Sequence, residues 1–213
     1  MKKILNRKSS TFKIMIILAI VLLVLVVLFL FYWKFYFLRN PVRESPKDGI
    51  VSPADGKITD IFEYDNNIEF KKNIGKINIM TEDVAEQGYI IAIFMSPFDV
   101  HYQKAPIDGK VIGTSYSKGK FKLGIKIGKV IENENNEILI KNNELKVKVV
   151  QIAGFFARRI NCYVKRGDNI KKGQTIGLIN FGSHVILVLP KNVKILVKEG
   201  DKVVGGVTKI AEI

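Results

Sequence analysis

Cysteine is almost missing from this chain: Cys162 is the only one among 213 residues. No intrachain disulfide can form, and a metal site built on several thiolates is excluded. Cys162 reads as a small buried hydrophobe in a strand over Ile160–Val164. Histidine is as scarce, with only His101 and His184 and no His-x-His pair. That excludes the ligand set of a zinc-dependent cell-wall endopeptidase, and no metal is expected. Arginine-rich runs and nucleic-acid-binding modules are missing too, so the net charge of +14 does not point to nucleic acid. Long helical periodicity is absent after residue 40. Acidic residues are nearly absent from the first 47, where nine Lys and Arg stand against Glu44 alone, a local charge of +8. The remainder carries 25 basic and 19 acidic side chains.

What is present begins with an apolar run. Ile14 to Trp33 is 20 uncharged residues, nearly all Ile, Leu, Val or Phe. At about 1.5 Å per residue it spans about 30 Å, the thickness of a bilayer's hydrocarbon core. Lys13 and Lys34 bracket it, and Tyr32, Trp33 and Tyr36 supply interfacial aromatics. The run is too long for a signal-peptide core, and no small-x-small cleavage site follows it. A basic collar around an apolar segment suits an anionic lipid surface. The expected organisation is a basic tail over 1–13, a membrane-anchoring helix over 14–38, a short stiff linker over 39–48 with Pro41 and Pro46, and a β domain over 49–213. Basic residues at both ends of the helix leave its orientation open, and a monotopic insertion stays open with it. The domain after the linker is expected on the cytoplasmic face of the cell membrane.

From residue 49 onward, short apolar or alternating runs are separated by Gly, Asn and Asp. They predict strands at Lys57–Phe62, Tyr89–Met95, Lys110–Ser115, Glu137–Ile140, Leu145–Ile152, Thr175–Ile179, Val185–Leu189 and Val193–Val197. The polar run Glu132–Asn136 predicts a hairpin tip. Two internal echoes stand out. Pro53-Ala54-Asp55-Gly56-Lys57-Ile58 returns as Pro106-Ile107-Asp108-Gly109-Lys110-Val111, and Val164-Lys165-Arg166-Gly167-Asp168-Asn169-Ile170 returns as Val197-Lys198-Glu199-Gly200-Asp201-Lys202-Val203. Each couples a Gly–Asp turn to a strand. The fold class expected is mainly β: a compact sandwich- or barrel-like domain of two related halves, preceded by one apolar helix. As structure alone, Asp55, Asp108, Asp168 and Asp201 are turn formers.

The chemistry-bearing residues are few. Gly182-Ser183 sits between two β-like runs, and a serine after an unbranched glycine on a bend can attack the glycine carbonyl. Such a cut can turn the serine into a pyruvoyl group, an electrophile made from the chain itself. His184 follows directly. His101 lies in the turn-prone Ser96-Pro97-Phe98-Asp99-Val100-His101-Tyr102, where strand ends carry functional residues. A histidine oriented by Asp55 or Asp99 could activate Ser183. Adjacent Arg158 and Arg159 cannot both face a core, so one can meet a phosphate or carboxylate. Lys118, Lys120 and Lys122 alternate on what reads as one basic strand face.

Taken in order, five segments resemble the phosphatidylserine decarboxylase proenzymes, in particular their short form. They are Phe37-Leu38-Arg39-Asn40-Pro41 after the apolar anchor, then Val51-Ser52-Pro53-Ala54-Asp55-Gly56-Lys57. Phe94 to His101 runs on to Ala105-Pro106. Gln151-Ile152-Ala153-Gly154 continues through Ala157-Arg158-Arg159-Ile160, and Lys172-Gly173-Gln174 leads to Phe181-Gly182-Ser183. The resemblance covers residues 37 to 190. It implies self-cleavage between Gly182 and Ser183 into a β chain, 1–182, and an α chain, 183–213, that stay together. It further implies a pyruvoyl cofactor derived from Ser183, without pyridoxal phosphate or metal. That group forms a Schiff base with the amine of phosphatidylserine in the membrane, which is converted to phosphatidylethanolamine and CO2. His101 and Asp55 are the implied catalytic companions, and Arg158, Arg159, Lys104 and His184 are candidate substrate contacts. Longer members carry a second histidine where this chain has Lys104, and short relatives carry arginine where it has His184. Two alternatives stay open: a lipoyl- or biotinyl-like anchored adaptor that is never cut, and a self-maturing decarboxylase of another amino-headgroup lipid. Self-association into a homo-oligomer is also open.

Overall fold

Runs that alternate or stay apolar between Gly, Asn and Asp turns fold as antiparallel strands, and the one long uncharged run folds as a helix. A computed structural model describes residues 2–65, 81, 83–119, 124, 133–154, 159–180 and 183–213, with the backbone alone for 2–11 and 183. The chain forms two compact units, Met1–Arg39 and Asn40–Ile213.

The first unit is helix α1, Lys2–Phe31, continued by a wider π-helical turn over Tyr32–Phe37. The Leu38 N–H closes that turn by donating to the Trp33 carbonyl at 3.1 Å. Phe12–Phe37 is long and apolar enough to cross a membrane. A helix suits that role because it satisfies its own backbone polar groups. Aromatic rings stack along the last turns, Trp33 on Phe37 at 4.5 Å and Tyr32 on Tyr36 at 5.5 Å. The Arg39 guanidinium caps them 4.0 Å over the Tyr36 ring.

In the second unit the strands are β1 (Ile50–Val51), β2 (Gly56–Asp65), β3 (Gln87–Met95), β4 (Tyr102–Lys104), β5 (Gly109–Ser117), β6 (Asn135–Lys141) and β7 (Lys146–Ile152). They are followed by β8 (Ile160–Cys162), β9 (Asn169–Ile170), β10 (Thr175–Ile179), β11 (Ser183–Pro190), β12 (Lys194–Ile195), β13 (Lys202–Val203) and β14 (Lys209–Glu212). Eight make one curled sheet in the order β13-β2-β3-β11-β7-β6-β5-β9. Two three-stranded sheets accompany it, β1-β14-β12 and β4-β10-β8. Both faces of the large sheet are covered. Ile91, Ile93 and Met95 with Val185, Leu187 and Leu189 point into the main core. Ile90, Ala92, Ile186 and Val188 point into a second cluster with Tyr64, Val84, Val150 and Ile152. Burial on two sides is why Tyr89–Met95 and Val185–Leu189 read as unbroken apolar runs.

The two related halves are visible bond by bond. Ile58 donates to the Asp201 carbonyl at 2.9 Å and its own carbonyl takes the Gly200 N–H at 2.8 Å; Val111 does the same with Asp168 and Gly167 at 2.9 and 2.8 Å. Gly167 and Gly200 both need left-handed backbone, at φ 102° and 94°. The Pro53 carbonyl accepts from Lys104 N–H and the Pro106 carbonyl from Val51 N–H, at 2.8 and 3.0 Å, so each half holds the other's proline turn. The sequence echoes are these paired strand ends, β2 with β13 and β5 with β9, on opposite edges of the large sheet.

Two local expectations change. Cys162 is exposed, because β8 is the outer strand of its small sheet; its thiol donates to the Val164 carbonyl at 3.1 Å. The polar run expected as a hairpin tip is interior from Asn133 onward, with Asn135 starting β6. Asn133 donates its side-chain amide to the Ala153 carbonyl at 3.1 Å, which lets a polar residue be buried there.

Candidate active site around His101 and Ser183

Ser183 opens β11, opposite Met95 at the end of β3, and His184 pairs with Phe94 on one side and Ile152 on the other. The loop that leaves β3 after Met95 returns as His101, so residues 101 and 183 lie at the same end of the sheet. That loop is fixed from within. The Asp99 carboxylate accepts both the Ser96 N–H and the Ser96 hydroxyl at 2.7 Å, and the Asp99 N–H closes a turn on the Ser96 carbonyl at 3.0 Å.

His101 is fully buried. Its Nδ1 lies 2.9 Å from the Asp99 main-chain carbonyl. A carbonyl can only accept, so Nδ1 carries the proton and a neutral ring holds its lone pair at Nε2. Nε2 is therefore the nitrogen able to take a proton. The His101 carbonyl accepts twice, from Gln103 Nε2 at 2.7 Å and from the Ile179 N–H at 3.2 Å. The second bond ties it to the end of β10, four residues before Ser183.

Neither aspartate supplies the expected carboxylate to this histidine. Asp99 contributes its main-chain carbonyl, its carboxylate being taken by Ser96. Asp55 is held elsewhere: Arg43 Nη1 and Nη2 grip its two oxygens at 2.5 and 2.8 Å, and the Gly205 N–H donates to Oδ1 at 2.8 Å. The Gly205 contact has its twin in the other half, where the Lys172 N–H donates to Asp108 Oδ1 at 3.0 Å. It is thus a turn device of the repeated fold, and Arg43 is what distinguishes Asp55 from Asp108. Arg43 comes from the segment expected to be a linker. Its Nη1 also donates to the Gly205 carbonyl at 2.9 Å, and Ser45 Oγ donates to Gly206 at 2.7 Å.

Lys104 belongs to this second cluster. Its ammonium donates to Asn40 Oδ1 at 2.8 Å and Thr175 Oγ1 at 2.9 Å. Burial pushes its pKa below the usual lysine value and Arg43 adds to that, with Asp55 opposing. Lys104 pairs with Thr175 at the far end of β10 from Ile179, so roughly 13 Å of strand separates it from the His101 end. The structure therefore brings together His101 and the start of β11, and sets Asp55 and Lys104 apart as a pair of their own. His184 is buried with its ring 5.2 Å from that of Phe94. Arg159 is exposed, and its carbonyl accepts the Asn180 N–H at 3.2 Å, which puts it near the same end. Gly182, Arg158, Lys120 and Lys122 lie outside the described residues. Sequence reasoning missed Arg43, Gln103 and Asn136. Only Gln151 carried a local signal, a polar residue between Val149-Val150 and Ile152.

Comparison with known proteins bears on what such a site is for. The profile of the family named Phosphatidylserine decarboxylase matches residues 30–211. A phosphatidylserine decarboxylase proenzyme of Carboxydothermus hydrogenoformans is 43% identical over 187 residues, covering 86% of this chain and 81% of the relative. Putative archaetidylserine decarboxylase proenzymes are similar too. That of Methanothermobacter thermautotrophicus is 41% identical over 180 residues, 82% of this chain and 78% of its own. That of Methanocaldococcus jannaschii is 40% identical over 186 residues, 85% and 90%. With a match across nearly all of the β domain, the chain belongs to the phosphatidylserine decarboxylase family and is a decarboxylase.

Proposed function

We propose that this protein decarboxylates phosphatidylserine to phosphatidylethanolamine after cutting itself between Gly182 and Ser183. In the cut, Ser183 Oγ attacks the Gly182 carbonyl; the ester C–O bond forms, the C–N bond breaks, and the nitrogen, which already carries one hydrogen, leaves as an amine by taking back the proton that the base removed from the hydroxyl. His101 Nε2 is the base that takes the hydroxyl proton. Removal of the residue 183 α-proton then breaks the Cβ–O bond, leaving a carboxylate on Gly182 and dehydroalanine at 183. One water converts that residue to a pyruvoyl group and releases ammonia.

A pyruvoyl group supplies an electrophilic carbonyl and an electron sink for a departing carboxylate. The residues fit it: position 183 pairs with Met95 of β3 and the next residue, His184, is held between β3 and β7, so a cap there stays fixed once the chain before it is free. His101 is the proton carrier that the loop after β3 brings to the end of the sheet where β11 starts, and its imidazolium returns a proton to the serine carbon that lost CO2. Asp55 acts at a distance from both, by anchoring Arg43. Arg159, with Arg158, is offered as the contact for the headgroup phosphate. Residues 14–38 anchor the chain, 39–48 lead to the catalytic domain 49–213, and that domain works on the cytoplasmic face.

The observation that supports this reading is the register that makes Ser183 the first residue of a central strand, opposite the residue from which the loop to the buried, singly oriented His101 departs. The test is intact mass of the purified protein. A fragment starting at 183, without a free amine and reactive to carbonyl reagents, is expected; a folded, membrane-bound chain that stays whole refutes the reading. Relatives named for archaetidylserine share the phosphoserine headgroup, so a second assay with an ether-linked serine lipid separates headgroup from tail preference.

A further inference from the structure

Three primary amides lie end to end in the core. Asn136 Nδ2 donates to Gln151 Oε1 at 2.8 Å, Gln151 Nε2 to Gln103 Oε1 at 2.8 Å, and Gln103 Nε2 to the His101 carbonyl at 2.7 Å. All four residues are buried, Gln103, Gln151 and His101 completely. The series crosses from β6 through β7 to β4 and stops at the histidine loop. Its direction is not arbitrary. The His101 carbonyl can only accept, so Gln103 must turn its NH2 toward it, which leaves the Gln103 oxygen for Gln151 and the Gln151 oxygen for Asn136. One carbonyl thus sets every amide orientation in the row. Room is kept for it as well: a Cβ on Gly177, which pairs with Gln103, would stand 2.3 Å from Gln151 Nε2. Apolar side chains would fill these positions in an Ile- and Val-rich core without any need of partners, so the polar row is there for what it holds.

We propose that Asn136, Gln151 and Gln103 are positioning residues that hold His101 in aim at residue 183. The proposal rests on the reading of His101 as the base for self-cleavage. Gln103 and the Ile179 N–H hold the His101 carbonyl from two sides, and the Asp99 carbonyl holds its ring, so main chain and ring are both fixed. Loss of the Gln103 bond frees the loop to shift, and a shift of about 1 Å at a reacting group lowers rates about 100-fold.

Gln151→Glu separates positioning from bulk packing. While neutral, the introduced carboxyl group donates its O–H to Gln103 and accepts from Asn136, so the row is intact. Once ionised, that group has nothing to donate; Gln103 must turn its NH2 toward it and present oxygen to the His101 carbonyl. In an uncut Ser183→Ala chain in detergent, ¹⁵N-histidine NMR follows the two imidazoles, with a His184→Phe variant to assign them. The His101 ring signals of Gln151→Glu should show a second titration step that the Gln151 chain lacks; a single step in both overturns the proposal. That readout does not require the chain to mature, so a wild-type chain that stays whole counts against the proposed function and leaves the row to be judged by NMR. In the Ser183 chain, Gln103→Met should cut about 10- to 100-fold more slowly at a temperature where the variant is still fully folded by its own melting curve. Cutting at the wild-type rate would also overturn it.

Discussion

Replacing Arg43 with methionine removes one half of an ion pair that ties the segment after the helix to the β domain. Arg43 and Asp55 meet through two parallel bonds of 2.5 and 2.8 Å, with side chains only 16% and 13% exposed. At an effective dielectric of about 20, opposite charges about 4 Å apart attract by about 4 kcal/mol. Desolvation and ordering of the long arginine offset part of that, leaving about 2–3 kcal/mol for the pair. In a domain of this size each kcal/mol moves the melting temperature by about 2–4 °C, so Arg43→Met should melt about 5–10 °C lower. The assay is a double-mutant cycle of Arg43→Met and Asp55→Asn, melted in detergent in the uncut Ser183→Ala background. If Asp55 serves chiefly as the arginine's anchor, the double variant loses little more than either single one, with a coupling of about 2 kcal/mol. Losses that simply add, with coupling below about 0.5 kcal/mol, would refute the assignment of Asp55 to the Arg43 cluster.

Ser183→Ala should remain a single chain, and His101→Ala should cut about 10²- to 10⁴-fold more slowly by time-resolved gel analysis; wild-type kinetics in His101→Ala would remove it as the base. The two pieces of the wild-type protein should co-elute until denatured. Val185 to Leu189 are all fully buried, which contributes about 8–15 kcal/mol against about 4–15 for the freedom lost in association, before the strand ladders are added. Separation in plain detergent buffer would contradict that. Lys104 has its pKa lowered in the fold, chiefly by burial, so at alkaline pH the unfolded chain holds its proton longer than the native one. Stability therefore rises with pH below the usual lysine value of 10.5, and wild type should gain on Lys104→Met between about pH 7 and about pH 10. A stability difference that is flat across that interval would show the buried ammonium carries no such penalty.

Most of the long strands were legible because they bury at least one full face, which writes an apolar pattern over several residues; β5, with Val111 alone buried, was legible through its echo of the Asp55–Ile58 turn and strand start. Strands of two to four residues, such as β1, β9 and β13, are too short to write one and are defined by partners across the sheet. The Gly–Asp echoes were readable as turns, and their pairing on opposite sheet edges is a tertiary fact. Gly182-Ser183 and His101 were legible as chemistry-bearing types at strand ends. Asp55 was legible as important, but its partner was not: Arg43 sits among prolines and charges, and only folding brings its fork to the carboxylate. Gln103 and Asn136 look like ordinary polar residues, since their meaning lies in contacts 15 to 48 positions apart.

β11 is the fourth of eight strands in its sheet, and the residues after it also supply β13 to an edge and β12 and β14 to a smaller sheet. On the proposed maturation, Ser183 meets the loop carrying His101 only when β11 has been laid against β3 in one register. A slip of one residue would turn every side chain of the strand to the wrong face and carry the serine away from its base. The cut then serves as a proofreading step: a misfolded copy keeps its peptide bond, never gains its electrophile, and sits in the membrane as an inert bystander.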